Sequence, residues 1–441
     1  MLPNYLTDAV VVAIVLGVMI LVHELGHFLA AKGFGVRVRI FSIGFGKRLF
    51  GFKRGDTDYR VSALPLGGYV KMAGDDPRES HEGDPGEFLG RPRWQRFVIV
   101  AMGPTMNVLM AVVLLSGLYR YHFQKPAIEE QPARVGDVEP GSPAARAGVL
   151  SGDLIVRLDG IVNPKWQDVI AKIPLSVGET IQLEVVRDGR HLDLTITPKA
   201  EGRDEMGYAG WIPYLPAFIE SVSPEMPAAQ AGLQPGDQVV GVDGKKVYDS
   251  VAIVRALQSA DGKPVEFAVK RQGKEFRVRL RPVYSAAGGQ KKWRIGVAFE
   301  FPFVVRQLPW RQAITVSVEE NWNNSLMTFD VLGKILTRRM SARSLSGPIG
   351  IAQLSGEMYR AGIDPLLKLV SAISLQLGIF NLLPIPILDG GVILLLLIES
   401  VMRRDLSLAV KERVVQVGMV FLLLLAVFVM YNDIVKTFRP Y

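Results

Sequence analysis

The sequence predicts a multi-span α-helical membrane protein whose helices are interrupted by a duplicated, soluble α+β region. Three observations carry this expectation. Hydrophobic residues make up 49% of the 441, and they gather near the N-terminus, around residue 100 and in the last 75 residues. The middle has the composition of an ordinary soluble protein. That middle also repeats itself at a fixed spacing.

Four stretches are long and apolar enough to cross a bilayer: residues 9–31, 98–118, 369–398 and 414–430. The first holds 23 residues, about 34 Å as a helix. The third is too long for one straight crossing and is expected to be broken. A cleaved leader would need a basic stretch ahead of the first apolar run, but the first basic residue is Lys32, after it. Basic residues also set the orientation. Thirteen lie from Lys32 to Arg96, and Arg403, Arg404, Lys411 and Arg413 separate spans three and four. Loops 32–96 and 399–413 are therefore expected in the cytoplasm, with both termini and the central region outside. This bias accounts for the net charge of +8 without nucleic-acid binding. There is no cysteine, so disulfide and thiolate chemistry are excluded.

Residues 142–160 (SPAARAGVLSGDLIVRLDG) and 226–244 (MPAAQAGLQPGDQVVGVDG) are identical at ten of nineteen positions, at an offset of 84. Two copies of one domain are expected, at 127–215 and 216–305. Each copy reads as a short helix, a Gly-Asp turn, a strand (154–158; 238–242) and an Asp-Gly turn. A later hairpin follows, turning at Asp188-Gly189 or Gln272-Gly273. The phrase A-G-L-x-x-G-D resembles the bacterial PDZ domain, which receives peptides as an added strand. Recognition of peptide or protein C-termini and filtering of access both fit a tandem pair.

Within the first span, His23-Glu24-Leu25-Gly26-His27 is an H-E-x-x-H motif on a predicted helix. The i, i+4 spacing puts both imidazoles on one face, where they can share a tetrahedral zinc. Glu24 then flanks the open coordination position, where it can take a proton from water whose pKa the metal lowers to about 7. Ionisable groups at bilayer depth cost on the order of 2–3 kcal/mol each. Polar residues that merely hold a bundle together would gain nothing from that location. A third ligand is needed, and the other histidines, His81, His122 and His191, all lie outside the spans. A carboxylate on another span is the remaining choice. Span three offers Asp389, in N381-L-L-P-I-P-I-L-D389-G-G391, and Asp433 lies only beyond span four. Pro384 and Pro386 cannot continue a regular helix, and broken backbone at membrane depth is tolerated where it lines a water-filled cavity.

Together, H-E-x-x-H on a first span, N-x-x-P-x-P-x-x-D-G on a later one and PDZ repeats between them resemble the site-2 protease family of intramembrane zinc metalloproteases. The bacterial branch, the regulators of sigma-E proteases, matches best. The likeness runs over essentially the whole chain and includes residues 41–46 (FSIGFG), 65–72 (PLGGYVKM) and Gly103-Pro104-Thr-Met-Asn107, which opens span two. The resemblance implies that His23, His27 and Asp389 hold zinc and that Glu24 is the general base. It implies that Asn381, Pro384 and Pro386 help hold substrate, with Gly103, Pro104 and Asn107 accessory. Residues 40–72 would form a re-entrant β-sheet offering an edge to substrate. Their glycine, β-branched and aromatic content agrees, with a turn at Gly55-Asp56. One departure is Val392, where the family commonly has histidine.

The expected layout is an N-terminal membrane part (1–126), the two PDZ copies, an amphipathic membrane-surface linker (306–365) carrying Trp310 and Trp322, and a C-terminal membrane part (366–441). The resemblance implies a bacterial inner-membrane endopeptidase. Its substrates would be single-span proteins, such as an anti-sigma factor already trimmed outside, and remnant signal peptides. Two other readings share some of these residues: a membrane-anchored PDZ scaffold with a vestigial metal site, and another membrane zinc hydrolase.

Overall fold

The structure is a computed structural model that describes residues 3–75, 84, 86–202, 204–285, 291–345 and 347–438. His81 and Ser346 lie outside them. The chain divides into two compact units. One comprises residues 1–123, 306–336 and 345–441, and the other comprises residues 124–305 and 337–344. The short stretch 337–344, read from sequence as part of the surface linker, thus groups with the central unit.

Helix α1 (Pro3–Gly33) carries the first apolar run straight through the H-E-x-x-H motif. It is followed by strands β1 (Val38–Arg54) and β2 (Thr57–Met72), then helix α2 (Arg93–His122). The strands form more than a plain hairpin. Residues 40–43 pair with 68–71 on one side and with 58–61 on the other, while 48–54 pair with 57–62. Two long strands thereby fold into four runs. Glycines make the bends possible, for Gly44, Gly46 and Gly51 hold φ of +86°, +87° and +158°, values that a side chain disfavours.

In the central unit, helices α3 (Pro143–Arg146) and α4 (Trp166–Lys172) belong to the first repeat. Helices α5 (Pro227–Gln230) and α6 (Ser250–Ala260) belong to the second. Strands 154–158, 181–187 and 190–196 are neighbours in one sheet, as are 238–242, 265–271 and 274–280 in the other. The hairpins turn at Asp188-Gly189 and Gln272-Gly273 with all four φ positive, the type I′ geometry that suits strand twist. Each repeat encloses its own apolar core, one around Trp166, Ile155 and Val185 and the other around Phe267, Ile253 and Val239.

Each core is closed by the same ion pair between a buried aspartate and a partly exposed arginine. Asp153 accepts from Arg187 at 2.7 and 2.7 Å and from the Leu150 amide at 2.9 Å. Asp237 accepts from Arg271 at 2.6 and 2.8 Å and from the Gln234 amide at 2.9 Å. Both arginines donate further to a backbone carbonyl, Gly148 or Gly232. These groups recur at the 84-residue offset, so the duplication preserved a complete side-chain network.

Five helices follow: α7 (Trp310–Leu336), α8 (Pro348–Ala361), α9 (Ile363–Asn381), α10 (Asp389–Met402) and α11 (Leu408–Phe438). Among the described residues, four helices are long and apolar enough to cross a membrane: Leu6–Gly33, Arg93–His122, Ile363–Asn381 and Leu408–Lys436. The third expected span is split between α9 and α10 at the proline-bearing loop. Small residues let the bundle close. Ser371 and Ser374 of α9 donate to the carbonyls of Ala111 and Asn107 on α2, both at 2.9 Å, and Gly378 fits against Pro104. Met19 of α1 is fully buried in a cluster with Val370 of α9. Helix α8 is held at both ends. Asp433 accepts from the amides of Gly347, Ile349 and Gly350 at 2.8–3.0 Å, placing negative charge at a helix N-terminus. Arg360 pairs with Asp8 at 2.5 Å.

The Asp237 network has a definite pH signature. The hydrogen bonds from Arg271 hold the Asp237 carboxyl below the usual 3.8. A depressed folded pKa means that the stabilisation is complete above the unfolded value and is lost as pH falls through the folded one. Asp237→Asn is expected to lower the thermal stability of the central unit by a constant amount from pH 7 to about 5, with the gap closing below about 4. A gap that stayed level down to pH 3 would contradict the ion pair as its origin.

Candidate metal centre

The i, i+4 geometry of α1 presents His23 and His27 side by side, only 7% and 8% exposed within the bundle. Their Nε2 atoms lie 3.1 Å apart. Asp389, at the first turn of α10, reaches both: Oδ2 is 3.0 Å from His23 Nε2 and Oδ1 is 3.5 Å from His27 Nε2. One donor atom from each of the three residues falls within 4.8 Å of the others, and this is the metal-competent cluster among the described residues. The donor set fits zinc. A tetrahedral ion with bonds of roughly 2.0–2.1 Å separates its ligand atoms by about 3.3 Å, close to the three distances here.

Helix α2 makes room for this approach. A Cβ on Gly103 would fall against His27 Nε2 and lie 2.9 Å from His23 Cε1. His27 Nδ1 donates to the carbonyl oxygen of Ile99 at 2.9 Å. Because that carbonyl can only accept, Nδ1 carries a proton, and in the neutral ring Nε2 presents a lone pair. Asn107 is completely buried, with its amide 3.2 Å from His23 Nδ1.

The loop between α9 and α10 aims Asp389. Gly390 and Gly391 have no space for a side chain, because Leu382, Leu383, Ile385 and Pro386 crowd them. Pro386 in turn sits against Gly418 of α11. Ile387 holds φ of +85°, a strained conformation for a β-branched residue. Strain of this kind persists only where surrounding packing imposes it.

Glu24, next to His23 on α1, reaches the sheet. Its Oε2 accepts from the Val70 amide of β2 at 3.0 Å. Gly68 permits the close approach of the paired strand, since a Cβ there would lie 2.7 Å from the Ser42 carbonyl oxygen, and at ordinary contact distance from Glu24 Cγ. The run 68–71 pairs only with 40–43 among the described strands.

The structure therefore brings together His23, His27, Asp389, Gly103 and Asn107, with Glu24 adjacent on α1. Pro104 packs on Gly378. Asn381 closes α9, and Pro384 and Pro386 lie in the loop before Asp389. The contacts described here tie none of those three to the cluster itself. The other candidates are engaged elsewhere: His122 with Asp364, His191 with Glu184 at 2.6 Å, and Asp433 with α8. Sequence reasoning missed Ile99 and Val70, whose contributions are backbone groups and leave no residue-type signal.

A membrane-spanning bundle in which two imidazoles and a carboxylate converge, with a glutamate next to the first imidazole, defines a membrane-embedded metallopeptidase. Residues 11–425 match the model of peptidase family M50, and the chain belongs to that family. The regulator of sigma-E protease RseP of Escherichia coli K12 is 32% identical over 460 residues, spanning 98% of this chain and 99% of that one. Protease RseP of Yersinia pestis is 32% identical over 448 residues (95% and 96%). A Neisseria meningitidis serogroup A protein whose name describes a zinc metalloprotease is 31% identical over 449 residues (96% and 98%). Among solved structures, the PDZ domain of an SdrC-like protein from Listeria monocytogenes matches at 22% identity and a TM-score of 0.18, covering 20% of this chain and 90% of that one.

Gly103→Ala puts a methyl group where the two imidazoles sit. Metal affinity and peptidase activity are expected to fall together, activity on the order of 10²-fold, as misplacement of about 1 Å commonly costs. Metal analysis and cleavage assays on the purified variant check this. Unchanged values for both would mean that α1 and α2 have slack at this crossing.

Proposed function

We propose that this chain is a zinc endopeptidase that cuts single-span membrane proteins within the bilayer. Zinc is held by His23, His27 and Asp389, and Glu24 is the general base. The observation that carries the reading is the convergence of those three ligands, two of them buried on a spanning helix and the third at the start of α10, in a setting where uncompensated polar groups are costly.

Bound there, zinc supplies Lewis acidity that lowers the pKa of water to about 7 and polarises the scissile carbonyl. The chain's own residues do the rest. Glu24 accepts the proton lost by the attacking water and returns it to the leaving amine nitrogen. The Val70 N–H holds the Glu24 carboxylate in one orientation while leaving its second oxygen for the water. A helical peptide bond is shielded, so substrate must be extended before attack. Residues 40–72, proposed as a re-entrant sheet, suit that need because the run 68–71 beside Glu24 is an edge strand. Asn381, Pro384 and Pro386 are proposed to hold the extended segment near the metal, and Gly103, Pro104 and Asn107 to shape the site from α2.

The two central repeats are proposed as extracytoplasmic PDZ domains at 127–215 and 216–305. In the second, strand 297–299 ends the sheet, and a groove lined by Met226, Val254, Leu257, Ile295 and Phe299 runs beside Lys292 and Arg294. An apolar C-terminal residue with its carboxylate fits those surroundings. Residues 306–365 are proposed to lie along the outer membrane face, and exposure of Trp310 (51%), Ile314 (48%), Val318 (49%) and Trp322 (65%) along one stripe of α7 supports this. Substrates in a bacterial inner membrane would be an anti-sigma factor trimmed on the outer side, and remnant signal peptides.

Glu24→Gln is expected to reduce cleavage of a model single-span substrate by about 10²–10⁴-fold, the usual contribution of a general base, with zinc content unchanged. The assay is co-expression of the variant with a tagged substrate whose ectodomain has been removed. Cleavage at the wild-type rate would remove Glu24 from the mechanism.

A further inference from the structure

The Asn107 carboxamide has a hydrogen-bond partner at one end only. Its Nδ2 faces His23 Nδ1 at 3.2 Å, while its Oδ1, in a fully buried side chain, has no hydrogen-bond partner. The two ends of a carboxamide have the same shape, so the surrounding network decides which one faces the ring. With nitrogen toward His23, Nδ1 has to accept and the ring proton has to sit on Nε2. That nitrogen is the one aimed at Asp389 and His27, and a protonated Nε2 has no lone pair for a metal. With oxygen toward His23, Nδ1–H donates and Nε2 becomes a ligand. His27 already has this polarity through Ile99.

We infer that Asn107 is a positioning residue for the metal, its Oδ1 accepting from His23 Nδ1–H and so fixing the ring's tautomer and direction. The inference rests on the reading of His23, His27 and Asp389 as ligands. Ile99, Gly103 and Asn107 recur at intervals of four along α2 and share one stripe, facing the i, i+4 pair on α1. That stripe supplies an acceptor for one imidazole, space for both, and an acceptor for the other. The residue is well anchored: Ser374 donates to its backbone oxygen at 2.9 Å, and a Cβ on Gly378 would touch its Cβ at 3.5 Å. A carboxylate would accept equally well but would add a third negative charge, beside Asp389 and Glu24, at bilayer depth. The amide provides the acceptor without the charge.

The test is zinc affinity by chelator competition on the full chain in detergent, together with the visible absorption of the cobalt(II)-substituted protein. Asn107→Leu keeps the volume and removes the acceptor. It is expected to weaken zinc about 10–100-fold, as loss of an outer hydrogen-bond partner does, and to alter the cobalt bands. Asn107→Asp, ionised, can only accept, and it is expected to stay within about threefold of wild type. Thermal melting of the metal-free proteins verifies that each variant is folded. If Asn107→Leu bound zinc like wild type while His23→Ala lost it, the ligand reading would stand and the role of Asn107 would be overturned. Loss of zinc from a folded Asn107→Asp equal to that from Asn107→Leu would also overturn it, because the amide would then have to donate. A wild type without stoichiometric zinc would bring down the ligand reading and this inference with it.

Discussion

Three electron-pair donors that face one another inside an apolar bundle repel unless a cation lies between them. His23, His27 and Asp389 are in that position, with interatomic distances of 3.0–3.5 Å. Much of the membrane unit is explained as the means of bringing them there. Helix α1 contributes two rings by periodicity alone. Asp389 has to be delivered from a residue far along the chain, and the delivery uses a broken helix, two glycines that admit crowded backbone and a strained Ile387. Helix α2 is the common scaffold. It packs on α1 through Gly26 and on α9 through Gly378, so the helix that carries the two imidazoles and the helix that leads into the Asp389 loop share one reference surface.

The surroundings solve a second problem, which is running hydrolysis where water is scarce. Broken backbone at membrane depth has to be buried or border water, and the loop before Asp389 is of this kind. The four-run sheet brings a strand edge to Glu24 without interrupting α1. The central unit follows a different logic. With no cysteine available, each repeat is held by an apolar core and a two-pronged pair between a buried aspartate and a partly exposed arginine. Removing the arginine would leave the buried aspartate's charge uncompensated, which explains why the pair recurs at the repeat spacing.

Where the sequence was informative, the signal was local. The H-E-x-x-H spacing is a statement about one helix face. Asp389 could be reached by elimination because it was the carboxylate at membrane depth in a segment whose prolines forbid a regular helix. The repeat was legible because the two copies keep the same turn residues. What stayed hidden depends on atoms from distant segments. Asp433 reads as a stray carboxylate past the last span, yet it caps α8. Val70 and Ile99 act through backbone groups that any residue carries. The doubling-back of β1 and β2 is set by glycines, and a glycine in a strand pattern looks the same whether it bends the strand or admits a neighbour. The direction of the Asn107 amide depends on where a ring proton sits.

The absence of native cysteine makes the central claim directly measurable. Asp389→Cys would introduce the chain's sole thiol, and a thiolate is a strong ligand for a site that already holds two imidazoles. Cobalt(II) added to this variant is expected to give an intense near-ultraviolet thiolate-to-metal charge-transfer band, absent from the wild type and lost again in a His23→Ala, Asp389→Cys double variant. A cobalt complex held by His23 and His27 without that band would place residue 389 outside the metal's reach, and the proposed mechanism would fail.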